Sequence, residues 1–163
     1  RSALELVSRY DNLLVVQTFS KSRSMAGMRI GYAIGQAEII KALNDFKYSF
    51  NSYTMSQAAL MLGAEAVRDR VYFEACTEKI IKTREWVSEE LKALGFVFNE
   101  PWANFIFASH PKYPAKELFD ALRKEKIYVR YFNLPRIDNY LRITMGTDEE
   151  MKTLIRFLKA YMK

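Results

Sequence analysis

Apolar and polar positions along the first 50 residues change their period several times, and each change marks a predicted element. The apolar, β-branched run from Leu13 to Val16 is typical of a buried parallel strand, because such strands are covered on both faces. Residues 3–10 before it have helical spacing, and residues 28–34 after it form a second strand pattern. Residues 36–46 repeat apolar positions with the period of an amphipathic helix. The pattern therefore predicts an open α/β arrangement.

The middle of the chain is predicted to be helical throughout. Residues 54–65 have helical spacing, and either Ser52 or Thr54 is a suitable N-terminal cap. Residues 70–94 continue the helical period over a length that is unusual in a small domain, and Gly95 stands where a glycine commonly ends a helix. A helix of this length favours a connection between two domains.

The organisation changes after Gly95, where short strand patterns alternate with single helices. The predicted order is strand 96–98, strand 105–108, helix 114–125, strand 127–131, strand 140–144 and a last helix. Thr147, with Glu150 three residues later, has the spacing of a capping box at the start of that helix. This order predicts a small α+β unit with an antiparallel or mixed sheet. We therefore expect a remnant of a larger α/β domain at 1–50, connecting helices at 51–94 and a small α+β domain at 95–163.

Composition narrows the class of protein. Half of the 163 residues are hydrophobic and 27% are charged, and no apolar run reaches the roughly 18 residues that a membrane span needs. The net charge of +6 is interleaved with acidic residues, which favours an ordinary basic surface over a nucleic-acid interface. One cysteine and one histidine, Cys76 and His110, are too few for a metal site. A single cysteine allows no intrachain disulfide and the start has no signal-peptide pattern, so we expect a cytoplasmic protein. The start also lacks an initiator Met, from which we expect the chain to be a fragment of a longer one.

The segment with the clearest chemistry lies between the two strands predicted in the first 50 residues. Residues 18–27 are polar and small and are expected to form a loop, which carries hydroxyl groups at Thr18 and Ser20 beside Lys21. Arg29 follows eight residues after Lys21, near the start of the next strand. Ligand sites of open α/β sheets lie at strand ends, and hydroxyl and guanidinium groups are suitable donors for a phosphate. A lysine beside a phosphate pocket is what a cofactor held through an amine requires.

This segment resembles the cofactor-lysine signature of the fold-type-I pyridoxal-phosphate aminotransferases. The resemblance rests on Thr-Phe-Ser-Lys at 18–21, on Ala-Gly-Met-Arg-Ile-Gly at 26–31 and on the spacing between the lysine and the arginine. It implies that Lys21 binds pyridoxal 5'-phosphate covalently and later moves the proton between substrate and cofactor. It further implies that Ser20 and Arg29 bind the phosphate of the cofactor and that Thr18 assists them.

Further segments are similar to the histidinol-phosphate aminotransferases within that class. They are Tyr-Asp-Asn-Leu at 10–13, Ser-Arg-Ser-Met-Ala-Gly at 22–27, Phe-Asn-Ser-Tyr-Thr-Met-Ser-Gln-Ala-Ala at 50–59, Ala-Asn-Phe at 103–105, Val-Arg at 129–130 and Leu-Arg-Ile-Thr-Met-Gly-Thr at 141–147. The resemblance implies that Arg142 holds a substrate carboxylate or phosphate and that Arg130 belongs to the pocket for the phosphate end. An arginine inside an apolar strand also needs solvent or an anion on physical grounds, because burying it unpaired is costly.

The resemblance covers the whole chain but only the C-terminal half of such an enzyme. The aspartate that pairs with the cofactor's ring nitrogen and the Gly-rich phosphate turn are expected upstream of Arg1, so we expect the fragment to be incomplete for catalysis. The resemblance implies a homodimer that uses an amino donor and a 2-oxo acid, here histidinol phosphate and 2-oxoglutarate in histidine biosynthesis. Two alternatives stay open: an aromatic amino-acid aminotransferase or threonine-phosphate decarboxylase of the same fold, and a non-catalytic α+β binding module.

Overall fold

The computed structural model describes residues 2–163, which form two compact units, the first extending through Ala75 and the second from Cys76 to Lys163. The elements follow in the order β1 (Leu14–Thr18), α1 (Phe19–Ser22), β2 (Gly31–Gly35), α2 (Ala37–Phe50), α3 (Gln57–Arg68), α4 (Arg70–Ala93), β3 (Phe105–Ala108), α5 (Ala115–Lys124), β4 (Arg130–Tyr131), β5 (Leu141–Thr144) and α6 (Asp148–Tyr161). This mixed α/β architecture confirms the predicted fold class, whereas the predicted divisions at residues 50 and 94 stay predictions. None of the described helices combines the length and the apolar character needed to cross a bilayer.

The sheet of the first unit is an antiparallel ribbon of β1 and β2, with Leu14 opposite Gly35 and Thr18 opposite Gly31. The prediction of a buried parallel strand is wrong for the described residues, because β1 has no parallel neighbour among them and Val16 is 69% exposed. A parallel pair needs a crossover, usually a packed helix. The connection between β1 and β2 instead folds into short helical turns at the strand end, so that the chain returns beside β1.

That connection begins with helix α1, where the sequence predicted a loop. Thr18 caps this helix, because its Oγ1 accepts a hydrogen bond from the backbone N–H of Ser20 at 3.1 Å. Phe19, the first residue of the helix, is buried and gives the turn an apolar anchor. The loop prediction is therefore wrong at residues 19–22, since four residues are too few to show a helical period.

The other helices of the first unit lie near their predicted positions but differ at their ends. The helix predicted at residues 3–10 is only a short 3₁₀ turn, Ala3–Leu6, and α2 continues to Phe50, beyond its predicted end at residue 46. Ser56 caps α3, because its Oγ accepts the backbone N–H of Ala59 at 3.2 Å. Ser52 and Thr54, the predicted caps, are wrong because they lie too far before the first turn of the helix.

Helix α4 ends as the sequence predicts, at a glycine in the left-handed region. Gly95 has a φ of +89°, and the backbone N–H of Phe96 donates to the carbonyl of Leu91 at 3.0 Å. A side chain at Gly95 would also meet the ring of His110, whose Nε2 lies 3.0 Å from the ideal Cβ position. His110 is buried and accepts two backbone N–H groups at Nδ1, so its Nε2 donates to the carbonyl of Leu94 at 3.0 Å. The ring thus closes the carboxyl end of α4.

The three-stranded sheet of the second unit is antiparallel, in the order β3-β5-β4, which agrees with the prediction. Two predicted strands are wrong in extent: residues 96–98 form only an isolated bridge at Val97, and residues 127–131 pair only at Arg130 and Tyr131. One face of the sheet is buried in the core of this unit. The core consists of buried residues from helices and strands throughout the unit: Val87, Leu91, Phe96, Ile106, Ala108, Ala115, Leu118, Leu122, Leu141, Ile143, Met145, Met151, Leu154, Ile155 and Leu158. The other face therefore remains open for polar side chains.

The capping box at the start of α6 is confirmed. The hydroxyl of Thr147 accepts the backbone N–H of Glu150 at 3.4 Å, and Glu150 Oε2 accepts the backbone N–H of Thr147 at 2.7 Å. These bonds to Thr147, from its backbone N–H first and then from its hydroxyl, hold the pKa of the Glu150 carboxyl below its usual value. At a pH above the ordinary pKa of glutamate, the capping box therefore contributes its full stabilisation of α6. This contribution is lost as the pH falls through the lowered pKa of Glu150 in the folded protein.

Candidate functional site

Lys21 stands on an exposed turn that follows β1 directly. It is the third residue of α1, and its side chain is exposed. Three hydroxyl groups surround its backbone: Thr18 Oγ1 lies 2.9 Å from Ser20 Oγ, and Ser22 Oγ donates to the carbonyl of Thr18 at 3.0 Å. These bonds fix the start of the turn and leave the amine of Lys21 in solvent.

Arg29 lies on the returning arm of the same turn. The backbone N–H of Phe19 donates to the carbonyl of Ile30 at 3.0 Å, which continues the ladder of the ribbon one step past Thr18. Lys21 and Arg29 therefore leave the ribbon at the same end, two residues after Phe19 and one residue before Ile30. This juxtaposition is what the spacing of eight residues produces.

The guanidinium of Arg29 has N–H donors that are not used in a hydrogen bond within the described chain. One of its nitrogens, Nη1, donates to the carbonyl of Ala26 at 2.9 Å, and no salt bridge among residues 2–163 involves it. Its backbone has a φ of +56°, which is uncommon for a residue other than glycine. An exposed, uncompensated guanidinium held in such a conformation is suited to bind an anion.

Small residues of α3 hold the turn in place, and sequence reasoning missed them. Phe19 and Ile30, which flank the two arms, are buried against Ala59. A Cβ at Gly63 would stand 2.9 Å from Ile30 Cδ1, so the glycine permits the close packing of α3 on the turn. The only sequence signal was a helix with small residues four positions apart.

The two other predicted arginines lie together in the second unit. Arg130 and Arg142 are register partners on β4 and β5, on the face opposite the core, and both are exposed. The ring of Phe132 lies 5.5 Å from Arg130 Cζ and 5.9 Å from Arg142 Cζ, and Phe105 lies 5.6 Å from Arg142 Cζ. Like charges placed opposite each other on a sheet repel, and neither arginine has a carboxylate partner within the described chain. The pair is therefore suited to receive an anion.

A cavity of about 580 Å³ lies beside this sheet face, and no sequence pattern predicted it. Phe107 and Tyr140 form part of its wall and stack with their ring centres 4.7 Å apart. Trp102 and Arg136 also line it. The cavity extends the aromatic surface that begins at Phe132, since Phe132 contacts Phe107 edge to face at 6.1 Å.

The structure thus describes the predicted site residues as two clusters. Thr18, Ser20, Lys21 and Arg29 form one in the first unit, and Arg130 and Arg142 form the other in the second unit. Each role assigned to them remains a prediction. Among residues 2–163, no three histidine, cysteine or acidic side chains are grouped in a way that would hold a metal ion.

The fold is that of the fold-type-I aminotransferases, and the segment at residues 18–30 that carries Lys21, called the lysine turn below, has the sequence motif of that class. The family model described as aminotransferase class I and II matches residues 1–158, and the chain belongs to this family. A histidinol-phosphate aminotransferase from Lactococcus lactis subsp. lactis is 52% identical over 162 residues, 99% of this chain and 45% of that protein. The chain therefore spans about half the length of the relatives that it matches.

Two solved structures support the same fold. The histidinol-phosphate aminotransferase from Clostridium acetobutylicum matches with a TM-score of 0.88 and 26% identity, over 99% of this chain and 49% of that chain. A decarboxylase from Sulfurospirillum multivorans matches with a TM-score of 0.82 and 26% identity, over 100% of this chain and 47% of that chain. One fold thus carries two differently named enzymes, so the substrate has to be argued from individual residues.

Proposed function

We propose that the whole protein containing this chain is a pyridoxal-phosphate-dependent aminotransferase that transfers the amino group of histidinol phosphate to 2-oxoglutarate. The observation that carries the proposal is the exposed turn, on which Lys21 and Arg29 leave the ribbon at the same end. The 52% identity to the Lactococcus lactis histidinol-phosphate aminotransferase supports this donor. Histidine biosynthesis in the cytoplasm is the role that follows from it.

The residues of the turn fit the cofactor by the chemistry of their donors. Lys21 offers a solvent-exposed amine, and Thr18, Ser20 and Arg29 offer the hydroxyl and guanidinium donors that a phosphate needs. Pyridoxal phosphate, when bound, supplies an aldehyde that reacts with amines and a ring that withdraws electrons from the carbon beside the amine. Lys21 would hold this group and then, as a free amine, take the proton from the donor Cα.

The arginine pair would bind the anionic ends of the substrates. Arg142 and Arg130 present two guanidinium groups without carboxylate partners, which suits the phosphate of the donor and the carboxylates of 2-oxoglutarate. The ring of Phe132, which lies 5.5 Å from Arg130 Cζ and 5.9 Å from Arg142 Cζ, offsets part of the repulsion by cation–π attraction. The family resemblance further supports a homodimer, which sedimentation of the whole protein at micromolar concentration would test.

A decarboxylase acting on a phosphorylated amino acid is the second candidate function. The similarity to the Sulfurospirillum multivorans decarboxylase favours it, and the arginine pair suits a phosphorylated substrate in either reaction. The two reactions differ in their products, since a decarboxylase releases carbon dioxide and needs no 2-oxo acid.

The experiment that separates these functions is a steady-state assay of the whole protein with pyridoxal phosphate. We expect kcat/KM for histidinol phosphate with 2-oxoglutarate to exceed that for phenylalanine by at least about tenfold, since a doubly charged phosphate pairs with two guanidinium groups more strongly than a single carboxylate does. Glutamate formation and release of carbon dioxide are measured in parallel. Equal rates with both donors would favour an aromatic amino-acid aminotransferase, and carbon dioxide without glutamate would favour the decarboxylase.

Arg29→Ala is expected to weaken cofactor binding about ten- to a hundredfold. The physical reason is the loss of a charge-assisted contact to the phosphate, which is worth about 1.5–3 kcal/mol. The affinity for pyridoxal phosphate is measured by equilibrium dialysis of the whole protein, with Arg9→Ala as the control because Arg9 is an exposed arginine of the same unit. Equal affinity in both variants would contradict the assignment of Arg29.

A further inference from the structure

Arg23 is a further cation of the lysine turn, and its side chain contacts the helices α3 and α4. It caps the carboxyl end of α1, two residues after Lys21, and it is only partly exposed. Its Nη1 donates to the carbonyl of Ala66 at 2.6 Å, and its Cζ lies 3.8 Å from the ring centre of Phe73. One guanidinium therefore joins the turn to two helices.

Both contacts have a clear physical basis. Ala66 lies in the last turn of α3, where backbone carbonyls lack partners inside the helix and the helix dipole is negative. Arg23 supplies a donor and a positive charge at that end. Phe73 in the first turn of α4 receives the flat face of the same guanidinium. Only a planar guanidinium donates at its edge and stacks on its face at once, so lysine is not an equivalent.

Backbone hydrogen bonds link Arg23 and its neighbour Ser24 to the segment that contains Lys21. The N–H of Arg23 donates to the carbonyl of Phe19 at 3.2 Å, and the N–H of Ser24 donates to the carbonyl of Lys21 at 3.2 Å. Ser24 has a φ of +56°, a conformation that needs support from its surroundings in a residue with a side chain. Movement of Arg23 would therefore shift the adjacent Ser24, whose N–H is bonded to the carbonyl of Lys21.

We propose that Arg23 is a positioning residue that fixes the backbone of Lys21 by tying the turn to α3 and α4. The guanidinium of Arg23 is engaged by the carbonyl of Ala66 at the end of α3. Arg29 is therefore the guanidinium of the turn that is available to the cofactor phosphate. The claim that Arg23 fixes the backbone of Lys21 is supported by the contacts alone. The claim that Arg29 is available to the cofactor phosphate rests on the proposed function.

The test measures backbone hydrogen exchange in the whole, cofactor-free protein carrying Arg23→Met or Arg23→Lys. We expect the amides of Ser24 and Met25 to exchange about tenfold faster in both variants, the order expected when a charged hydrogen bond is lost. The amides of Leu118 and Leu122 in the second unit should be unchanged. Arg68→Met is the matched control, because Arg68 is an exposed arginine at the same end of α3 and pairs with Glu65.

The second readout is the affinity for pyridoxal phosphate at a temperature where every variant is folded. We expect both Arg23 variants to bind about tenfold or more weakly and Arg68→Met to bind as the unchanged protein does. Unchanged exchange in Arg23→Met, or full recovery in Arg23→Lys, would overturn the proposal. Faster exchange in a protein that binds no pyridoxal phosphate would support the positioning role and contradict the proposed function instead. Should Arg23→Met fail to fold, Phe73→Leu decides: faster exchange at Ser24 supports the proposal and unchanged exchange overturns it.

Discussion

Changing Lys21 to alanine in the whole protein is expected to lower turnover by about a thousandfold or more and to leave the fold intact. Two losses combine in this variant: the amine that holds the cofactor and the base that takes the donor proton, which alone contributes about a hundred- to ten-thousandfold. The fold is expected to survive because the Lys21 side chain is exposed and forms no hydrogen bond or salt bridge within the described chain. Surface changes of this kind alter stability by about 0.5 kcal/mol or less.

The measurements for Lys21→Ala are the visible absorbance of the protein with pyridoxal phosphate, the turnover rate and the thermal unfolding midpoint. Lys41→Ala in α2 is the control, since Lys41 is an exposed lysine of the same unit. A small primary amine added to the solution should restore part of the turnover, because it replaces the missing base. Retention of normal absorbance and turnover by Lys21→Ala would show that the cofactor-binding lysine lies elsewhere.

The second large effect is expected from Arg142→Ala, which should raise KM for the phosphorylated donor or for 2-oxoglutarate by about ten- to a hundredfold. The reason is the loss of a charge-assisted contact to a carboxylate or phosphate, worth about 1.5–3 kcal/mol. Arg142 is exposed on β5 while its neighbours Leu141 and Ile143 are buried, so the substitution leaves the core unchanged. The effect on binding should therefore exceed the effect on stability.

Steady-state kinetics with each substrate varied in turn measure this effect, and Arg123→Ala is the matched control. Arg123 is an exposed arginine in the last turn of α5, in the same unit and without a salt bridge in the described chain. Arg142→Lys should recover only part of the affinity, because an ammonium group lacks the bidentate geometry of a guanidinium. An unchanged KM for both substrates in Arg142→Ala would remove Arg142 from the substrate site.

Several features could be predicted from the sequence because they depend on neighbours in the chain. Thr147 and Glu150 form the capping box because the hydroxyl and the carboxylate that satisfy the first turn are three residues apart. Gly95 ends α4 because the bonds that close a helix at a left-handed residue span only a few positions. The lysine turn was recognised for the same reason, since Lys21 and Arg29 belong to one continuous motif.

Other features have no signal in any local window. Arg23 donates to a backbone carbonyl 43 residues away. Because every residue has a backbone carbonyl, the sequence does not indicate which one accepts this bond. Gly63 is needed only because Ile30 packs against it, and Phe132 lies near both Arg130 and Arg142 only because β4 pairs with β5. Sequence reasoning therefore found the arginines that are predicted to bind an anion more readily than the residues that hold them.

The sequence by itself determined where the longer helices and most strands lie, the caps at Thr147 and Gly95, and the chemical groups of the lysine turn. All of these follow from periodicity and from side chains that bond to a backbone a few residues away. Only the tertiary structure decided that β1 pairs antiparallel with β2, that the Arg23 side chain contacts α3 and α4, and that Arg130 lies opposite Arg142. The physical reason is that strand pairing and side-chain packing depend on contacts between segments that are distant in the chain. Such contacts stabilise the fold but produce no local pattern in the sequence.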